Sequence, residues 1–181
     1  ALAQGEEVVP ISVNFSRRHN EYADFVPNIL KRLKDYKVPS DLLEVEVTES
    51  VFMSDLNKLT NNLEHLRDRG VEISVDDFGS GYSSLNLLSK AAVDTVKLDK
   101  QFLDDTMNSE REEAALTIIK YLTKMLRHLG FKVLAEGVET SEQLEMLRLA
   151  DCDIVQGYFY AKPMPIGEFR TFLQEFNERD N

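Results

Sequence analysis

The chain has 181 residues, 43% of them hydrophobic and 29% charged, with 32 acidic against 21 basic side chains and a formal net charge of −11. That length supports one domain burying roughly two thirds of the unfolded chain's surface, so a real core is expected and intrinsic disorder is not. The single cysteine, Cys152, and apolar runs far below the roughly 20 residues that span a bilayer exclude a disulfide scaffold and a membrane span.

The acidic balance argues against binding a DNA or RNA polymer, which depends on clustered Lys and Arg. Any phosphate ligand must then be neutralised by something other than basic residues. No charged segment followed by an apolar one opens the chain, so no signal peptide is expected, and the alanine at position 1 fits a fragment or a processed product.

In chain order, Val8 to Phe15 is a β-branched run that reads as a strand buried on both faces, the pattern of parallel sheets. Asp24 to Lys37 is a helix with Phe25, Ile29, Leu30 and Leu33 on one stripe, Pro27 in its first turn and Pro39 beyond its end. Leu43 to Thr48 is a second strand that alternates apolar with acidic residues. A helix from about Asp55 to Arg69 carries Leu56, Leu59, Leu63 and Leu66, with Ser54 as N-cap and Gly70 as stop. Val71 to Asp76 is the third strand, followed by a short helix around Ser83 to Leu88 and a fourth strand at Thr95 to Leu98.

Ser109 with Glu112 forms a capping box for a long helix carrying Leu116, Ile119, Leu122, Leu126 and Leu129 and stopping at Gly130. Phe131 to Ala135 is strand five, Thr140 with Gln143 caps the next helix, Ile154 to Gln156 is strand six, and Ile166 to Phe176 is the closing helix. Six strands each followed by a helix specify an α/β fold, either doubly wound or part of a (β/α)₈ barrel. No G-x-G-x-x-G follows a strand, which weakens the dinucleotide-binding reading. A full barrel takes about 250 residues, so 181 leaves room for roughly six βα units. No linker divides the chain, and residues 1–181 read as one domain.

Polar residues that apolar packing would not select stand near the C-terminal end of each strand: Asn14, Glu46, Asp76 with Asp77, Lys97, Glu136 and Gln156. In parallel α/β folds those ends form the active-site rim, so the set converges on one mouth. Four carboxylates and two amides, with no histidine or cysteine, describe a site for Mg²⁺ or Mn²⁺ rather than Zn²⁺. If the strand ends there, Asp76 and Asp77 point in different directions, and one can bridge two metals while the other binds one. Two ions about 3.5–4 Å apart activate a water and stabilise a leaving oxygen, with Lys97 orienting that water.

Blander readings exist for each member. Asp77 before Gly-Ser-Gly suits a turn or cap, Glu46 a solvated strand position, and Lys97 a surface pair with Asp94 or Asp99. His19, His65 and His128 have no spacing that groups them as ligands and read as exposed or capping. Cys152 reads as a buried small hydrophobe.

VDDFGSGYSSLNLL (Val75 to Leu88), DTVKLDKQF (Asp94 to Phe102), AEGVET (Ala135 to Thr140) and QGYFYAKPMP (Gln156 to Pro165) resemble the EAL domain of cyclic di-GMP phosphodiesterases. SVNFS (Ser12 to Ser16) and EVEVTES (Glu44 to Ser50) resemble earlier family motifs in the expected order. The resemblance implies a TIM-barrel-like (β/α)₈ EAL fold that hydrolyses bacterial cyclic di-GMP to linear pGpG with two Mg²⁺ or Mn²⁺ ions. It implies Asn14, Glu46, Asp76, Asp77 and Glu136 as metal ligands, with Asp76 the bridge. Lys97 would position the attacking water, Gln156 would support the metal and water network, and Glu139 would be a further acid near the site. Glu49 and the loop Phe78, Gly79, Ser80, Gly81 and Tyr82 resemble a dimer-facing regulatory loop.

The Glu-Ala-Leu signature, whose glutamate is a ligand and whose following arginine contacts substrate, is absent from this sequence. The family places it upstream of Ala1, together with about two strands, so the chain is expected to hold the C-terminal three quarters or so of the domain. A homodimer, a companion GGDEF or sensory domain and a cytoplasmic location without membrane contact by this domain are also implied. A non-hydrolysing cyclic di-GMP receptor is the alternative in a different class. An aldolase-like barrel using Lys97 as a Schiff-base nucleophile is a poor third, because carboxylates crowding the rim raise the pKa that such chemistry needs lowered.

Overall fold

A computed structural model describes residues 8–22, 24–52, 56–79, 88, 92–107 and 112–179. Its strands are β1 (Ile11–Phe15), β2 (Leu43–Thr48), β3 (Glu72–Phe78), β4 (Thr95–Leu98), β5 (Lys132–Ala135) and β6 (Ile154–Val155). Its helices are α1 (Arg17–Glu21), α2 (Phe25–Asp35), α3 (Glu49–Phe52), α4 (Leu56–Arg67), α5 (Lys100–Met107), α6 (Glu112–His128), α7 (Ser141–Leu149) and α8 (Ile166–Arg179). All neighbouring strands pair in parallel, and their spatial order is their chain order, β1 to β6. A doubly wound sheet reverses direction part-way, whereas an unreversed run is the wall of a (β/α)₈ barrel.

Period-two alternation assigns the two faces of that wall. Val45, Val47, Ile73, Val75, Val96, Leu98 and Val133 are fully buried, in one core with Leu59, Leu63 and Leu66 of α4, Ile119 and Leu126 of α6 and Leu147 of α7. The alternate positions of the central strands are polar: Glu44 and Glu46, Ser74 and Asp76, Thr95 and Lys97. The central strands are therefore apolar on the helix side and polar on the other, and the polar side is buried too: Glu46, Ser74, Thr95 and Lys97 are as enclosed as the apolar residues that alternate with them. β1 departs furthest from the sequence expectation of burial on both faces: in the outermost strand of the described residues Ile11 is 63% and Val13 41% exposed, and only Phe15 is buried.

The end of the wall opposite the rim is fastened by one device used twice. Asp94, just before β4, accepts the Ile73 N–H at 3.0 Å and pairs with Arg67 from the last turn of α4 at 2.8 Å. Asp153, just before β6, accepts the Val133 N–H at 2.9 Å and pairs with Arg127 from the last turn of α6 at 3.3 Å. Each aspartate ties a strand to the returning helix, which leaves the opposite strand ends free for chemistry. The capping box expected at Thr140 and Gln143 is formed, with the Gln143 N–H donating to Thr140 Oγ1 and Gln143 Oε1 accepting the Thr140 N–H. The expected Ser54 and Ser109 caps, and the helix around Ser83 apart from helical Leu88, lie outside the described residues.

Three short helices are absent from the sequence expectations: α1, α3 and α5, each starting within two residues of a strand's C-terminal end. In α1, His19 Nδ1 accepts the Ser16 N–H at 3.1 Å, and its ring stacks on Phe25 at 4.8 Å between centroids, which fits the capping expectation. His65 and His128 are exposed. Cys152 is half-buried, its single S–H within reach of the carbonyls of Val133 and Ile154, and burial pushes the thiol pKa up to about 11. No helix of the described residues is long and apolar enough to cross a membrane.

Candidate active site

Three carboxylates from different elements meet on one ammonium. Lys97, on the polar side of β4 and 3% exposed, places its Nζ 2.7 Å from Glu46 Oε1 of β2. The same nitrogen lies 2.6 Å from Glu136 Oε1, just past β5, and 3.3 Å from Asp76 Oδ1 of β3. The surface pair of Lys97 with Asp94 or Asp99 is overturned. Asp94 holds Arg67, and Asp99 Oδ1 accepts the Gln101 N–H. Glu46 is 8% exposed, so it is not a solvated strand residue either.

Charge balance explains why a lysine is tolerated there. Burial alone would lower the Lys97 pKa, but hydrogen bonds to Glu136 and Glu46 and the charges of Glu136 and Asp76 outweigh it and hold the pKa above the ordinary lysine range. With these carboxylates in place the ammonium form is favoured, and Lys97 acts as a donor. Glu136 moves upward from the ordinary carboxylate range because burial outweighs the opposing hydrogen bond from Lys97. Asp77 also moves upward, first through burial and then through the charges of Asp76 and Asp99.

The Asp76–Asp77 pair is set by a β-bulge. Val75 faces Val96 and Phe78 faces Leu98, so β3 spends three steps where β4 spends two. Asp77 absorbs the extra residue with φ 57°, a left-handed conformation that Asp tolerates better than most side chains. Strand β3 does not end at Asp76, as the sequence suggested. It bulges, keeps Asp76 beside Lys97, and returns Phe78, 3% exposed, to the apolar side.

The remaining expected residues are placed as follows. Asn14 faces Glu46 across the β1–β2 register and is exposed. Gln156 is held through its backbone, its N–H donating to the Ala135 carbonyl at 2.8 Å and its own carbonyl accepting the Val138 N–H at 3.1 Å. Its side chain is exposed. Glu139 pairs with Lys100 of α5, and its N–H donates to Gln143 Oε1 at 2.8 Å. Glu49 is buried at the start of α3. Gly79 has φ 99°, and a Cβ there would stand 3.0 Å from the Phe102 ring. Ser80, Gly81 and Tyr82 lie outside the described residues.

Sequence reasoning missed Lys100 and its neighbours in α5. Lys100 follows β4 by two residues and reaches Glu139, while Asp104 accepts from Gln143 Nε2 at 3.3 Å. The signal was available in the charged start of KQFLDD, but nothing in the sequence joins it to a loop some 39 residues away.

The donor chemistry of the cluster fits divalent cations. Glu46, Asp76, Asp77 and Glu136 offer only hard oxygen donors, and one ammonium is too little charge for four carboxylates. Asp76 Oδ1 is buried without a hydrogen-bond partner, at ion-pair distance from Lys97. Among the described residues no three acidic side chains already stand in ligand geometry about a common point; they surround the ammonium instead.

A six-strand barrel wall with this rim defines the class, and the chain belongs to the EAL domain family, whose family model matches residues 1–163. The cyclic di-GMP phosphodiesterase NbdA of Pseudomonas aeruginosa is 36% identical over 172 residues, 95% of this chain and 22% of its own length. The EAL domain of Mycobacterium smegmatis DcpA superposes with a TM-score of 0.85 at 30% identity, covering 96% of this chain and 77% of that one. Klebsiella pneumoniae BlrP1, solved with manganese and cyclic di-GMP, superposes with a TM-score of 0.76 at 28% identity, covering 85% of this chain and 39% of that one. The chain spans about a fifth of the length of the first curated relatives it matches.

Proposed function

We propose that residues 1–181 are the C-terminal three quarters or so of an EAL phosphodiesterase domain that hydrolyses cyclic di-GMP to linear pGpG. The observation that carries this reading is the convergence of Glu46, Asp76 and Glu136 on Lys97 at the rim of a barrel wall. Asn14, Glu46, Asp76, Asp77 and Glu136 would hold two Mg²⁺ or Mn²⁺ ions, with Asp76 between them. When bound, the ions supply an activated water and counter-charge for the leaving oxygen.

The chain's own residues do the positioning. Lys97, its ammonium form favoured by the acids around it, donates to the attacking water or to a phosphoryl oxygen on which negative charge develops. It cannot serve as a Schiff-base nucleophile, because its carboxylate neighbours hold the proton on. Gln156, its main chain held by two backbone hydrogen bonds, supports the water network through its amide. Glu139, fixed by Lys100, braces the loop that carries Glu136. Glu49 and residues 78–82 form the regulatory, dimer-facing loop. The parent protein acts in the bacterial cytoplasm as a homodimer and carries a GGDEF or sensory domain, in keeping with relatives far longer than this chain.

The test is product chromatography after incubating the full-length protein with cyclic di-GMP and Mn²⁺. The expected result is pGpG that forms with metal and vanishes with a chelator. Cyclic di-GMP that is bound but left intact would make the protein a receptor and overturn the enzymatic reading.

A further inference from the structure

Lys97 does more in this arrangement than wait for a water. Its ammonium has three donors, and three carboxylates surround it: Glu46 at 2.7 Å, Glu136 at 2.6 Å and Asp76 at 3.3 Å. Its side chain is 4% exposed, against 10%, 14% and 22% for the three acids, so water contributes little to screening the group. The only buried lysine among the described residues therefore stands where the local negative charge is greatest.

A divalent ion binds carboxylate oxygens at about 2.0–2.6 Å, whereas the ammonium holds them at 2.6–3.3 Å. Two cations sharing these oxygens would lie within a few ångströms of each other with almost no solvent between, and their repulsion there is large. Both cannot keep the same set of contacts.

We propose that Lys97 is the internal competitor of divalent cations at this site: it holds Glu46, Asp76 and Glu136 together in the ion-free protein and must release Glu46 and Glu136 for metal to load. The inference rests on reading these carboxylates as a metal site and adds a second role for the lysine, as the setter of metal affinity. It gives the fold a way to keep several buried acids in place before metal arrives, which unpaired buried carboxylates could not do alone. The cost is weaker metal binding, so that occupancy follows the supply of free cation.

The test compares the full-length protein with Lys97→Met, using calorimetric titration with Mn²⁺ and thermal unfolding with and without the ion. The variant is expected to melt lower than wild type in chelator, to bind Mn²⁺ at least about tenfold more tightly, and to gain more in melting temperature on adding Mn²⁺. Equal or weaker binding by a folded variant overturns the inference and leaves the metal-site reading intact. Absence of Mn²⁺ binding by the wild type overturns both. If Lys97→Met does not fold, the wild type decides: the Lys97 ammonium nitrogen resonance should shift as Mg²⁺ is added. A resonance that stays in place while Mg²⁺ binds elsewhere in the spectrum contradicts the exchange of partners.

Discussion

Asp76→Asn is expected to abolish hydrolysis, by at least about a thousandfold in kcat, while leaving the fold as stable as wild type or more so. The substitution keeps the shape and removes one charge from the acid-rich rim. Asp76 Oδ1 is buried with no hydrogen-bond partner, so what the substitution gives up is its 3.3 Å ion pair with Lys97, whose ammonium keeps Glu46 and Glu136. Its charge also raises the pKa of Asp77, behind burial, and that of Glu136, behind burial and against Lys97. Carboxyls with raised folded-state pKa values stabilise the fold fully below the ordinary carboxylate range, and that contribution fades as pH climbs through the folded-state values. In chelator, Asp76→Asn should therefore show a smaller loss of stability between mildly acidic and neutral pH than wild type. Thermal melts at a series of pH values, paired with product chromatography, read both effects. Retention of full hydrolysis by the variant would remove Asp76 from the site.

Gly157→Ala should damage stability and activity together. Gly157 lies against the Val138 peptide, and a Cβ there would be driven into the backbone oxygen and nitrogen of Val138. Backbone cannot step aside as a flexible side chain can, and overpacking of this kind costs about 3 kcal/mol, or roughly 10 °C in Tm for a domain of this size. Val138 is bonded on both sides of the contact: its N–H donates to Gln156 at 3.1 Å, and its carbonyl accepts from Phe159 at 2.9 Å. Separating these segments displaces Glu136 and Gln156 from their placed positions. Gly167→Ala in α8 is the control, since nothing lies within 4 Å of its Cβ position and alanine favours the helix. A Gly157→Ala protein that melts with wild type would refute the close packing of these two loops.

The sequence made some of this site readable and hid the rest for definable reasons. Alternation in LEVEVT puts Glu44 and Glu46 on one face, and short-range patterns such as the Thr140–Gln143 box carry their own geometry. The exposure of Ile11 and Val13 was not readable, because burial depends on which strands flank β1 rather than on its composition. The bulge at Asp77 escaped for a similar reason: it is a mismatch between β3 and β4, and neither strand alone records it. Helices α1, α3 and α5 are of five, four and eight residues, too short to display an apolar stripe.

Family motifs supplied what periodicity could not, naming Lys97 and Glu46 as members of one site though they lie 51 residues apart. They did not say that the two would be hydrogen-bonded to each other. Nor did they show that Glu139 would be held by Lys100, a partner visible only once α5 and the loop after β5 are brought side by side.

Hydrolysis by this rim requires that it hold metal. Anomalous diffraction at the manganese edge, from crystals of the full-length protein grown with Mn²⁺ and cyclic di-GMP, asks this directly. The expected result is two peaks about 3.5–4 Å apart among Asn14, Glu46, Asp76, Asp77 and Glu136, with Asp76 touching both. A rim without manganese, with Lys97 still seated on Glu46 and Glu136 beside bound nucleotide, would contradict it.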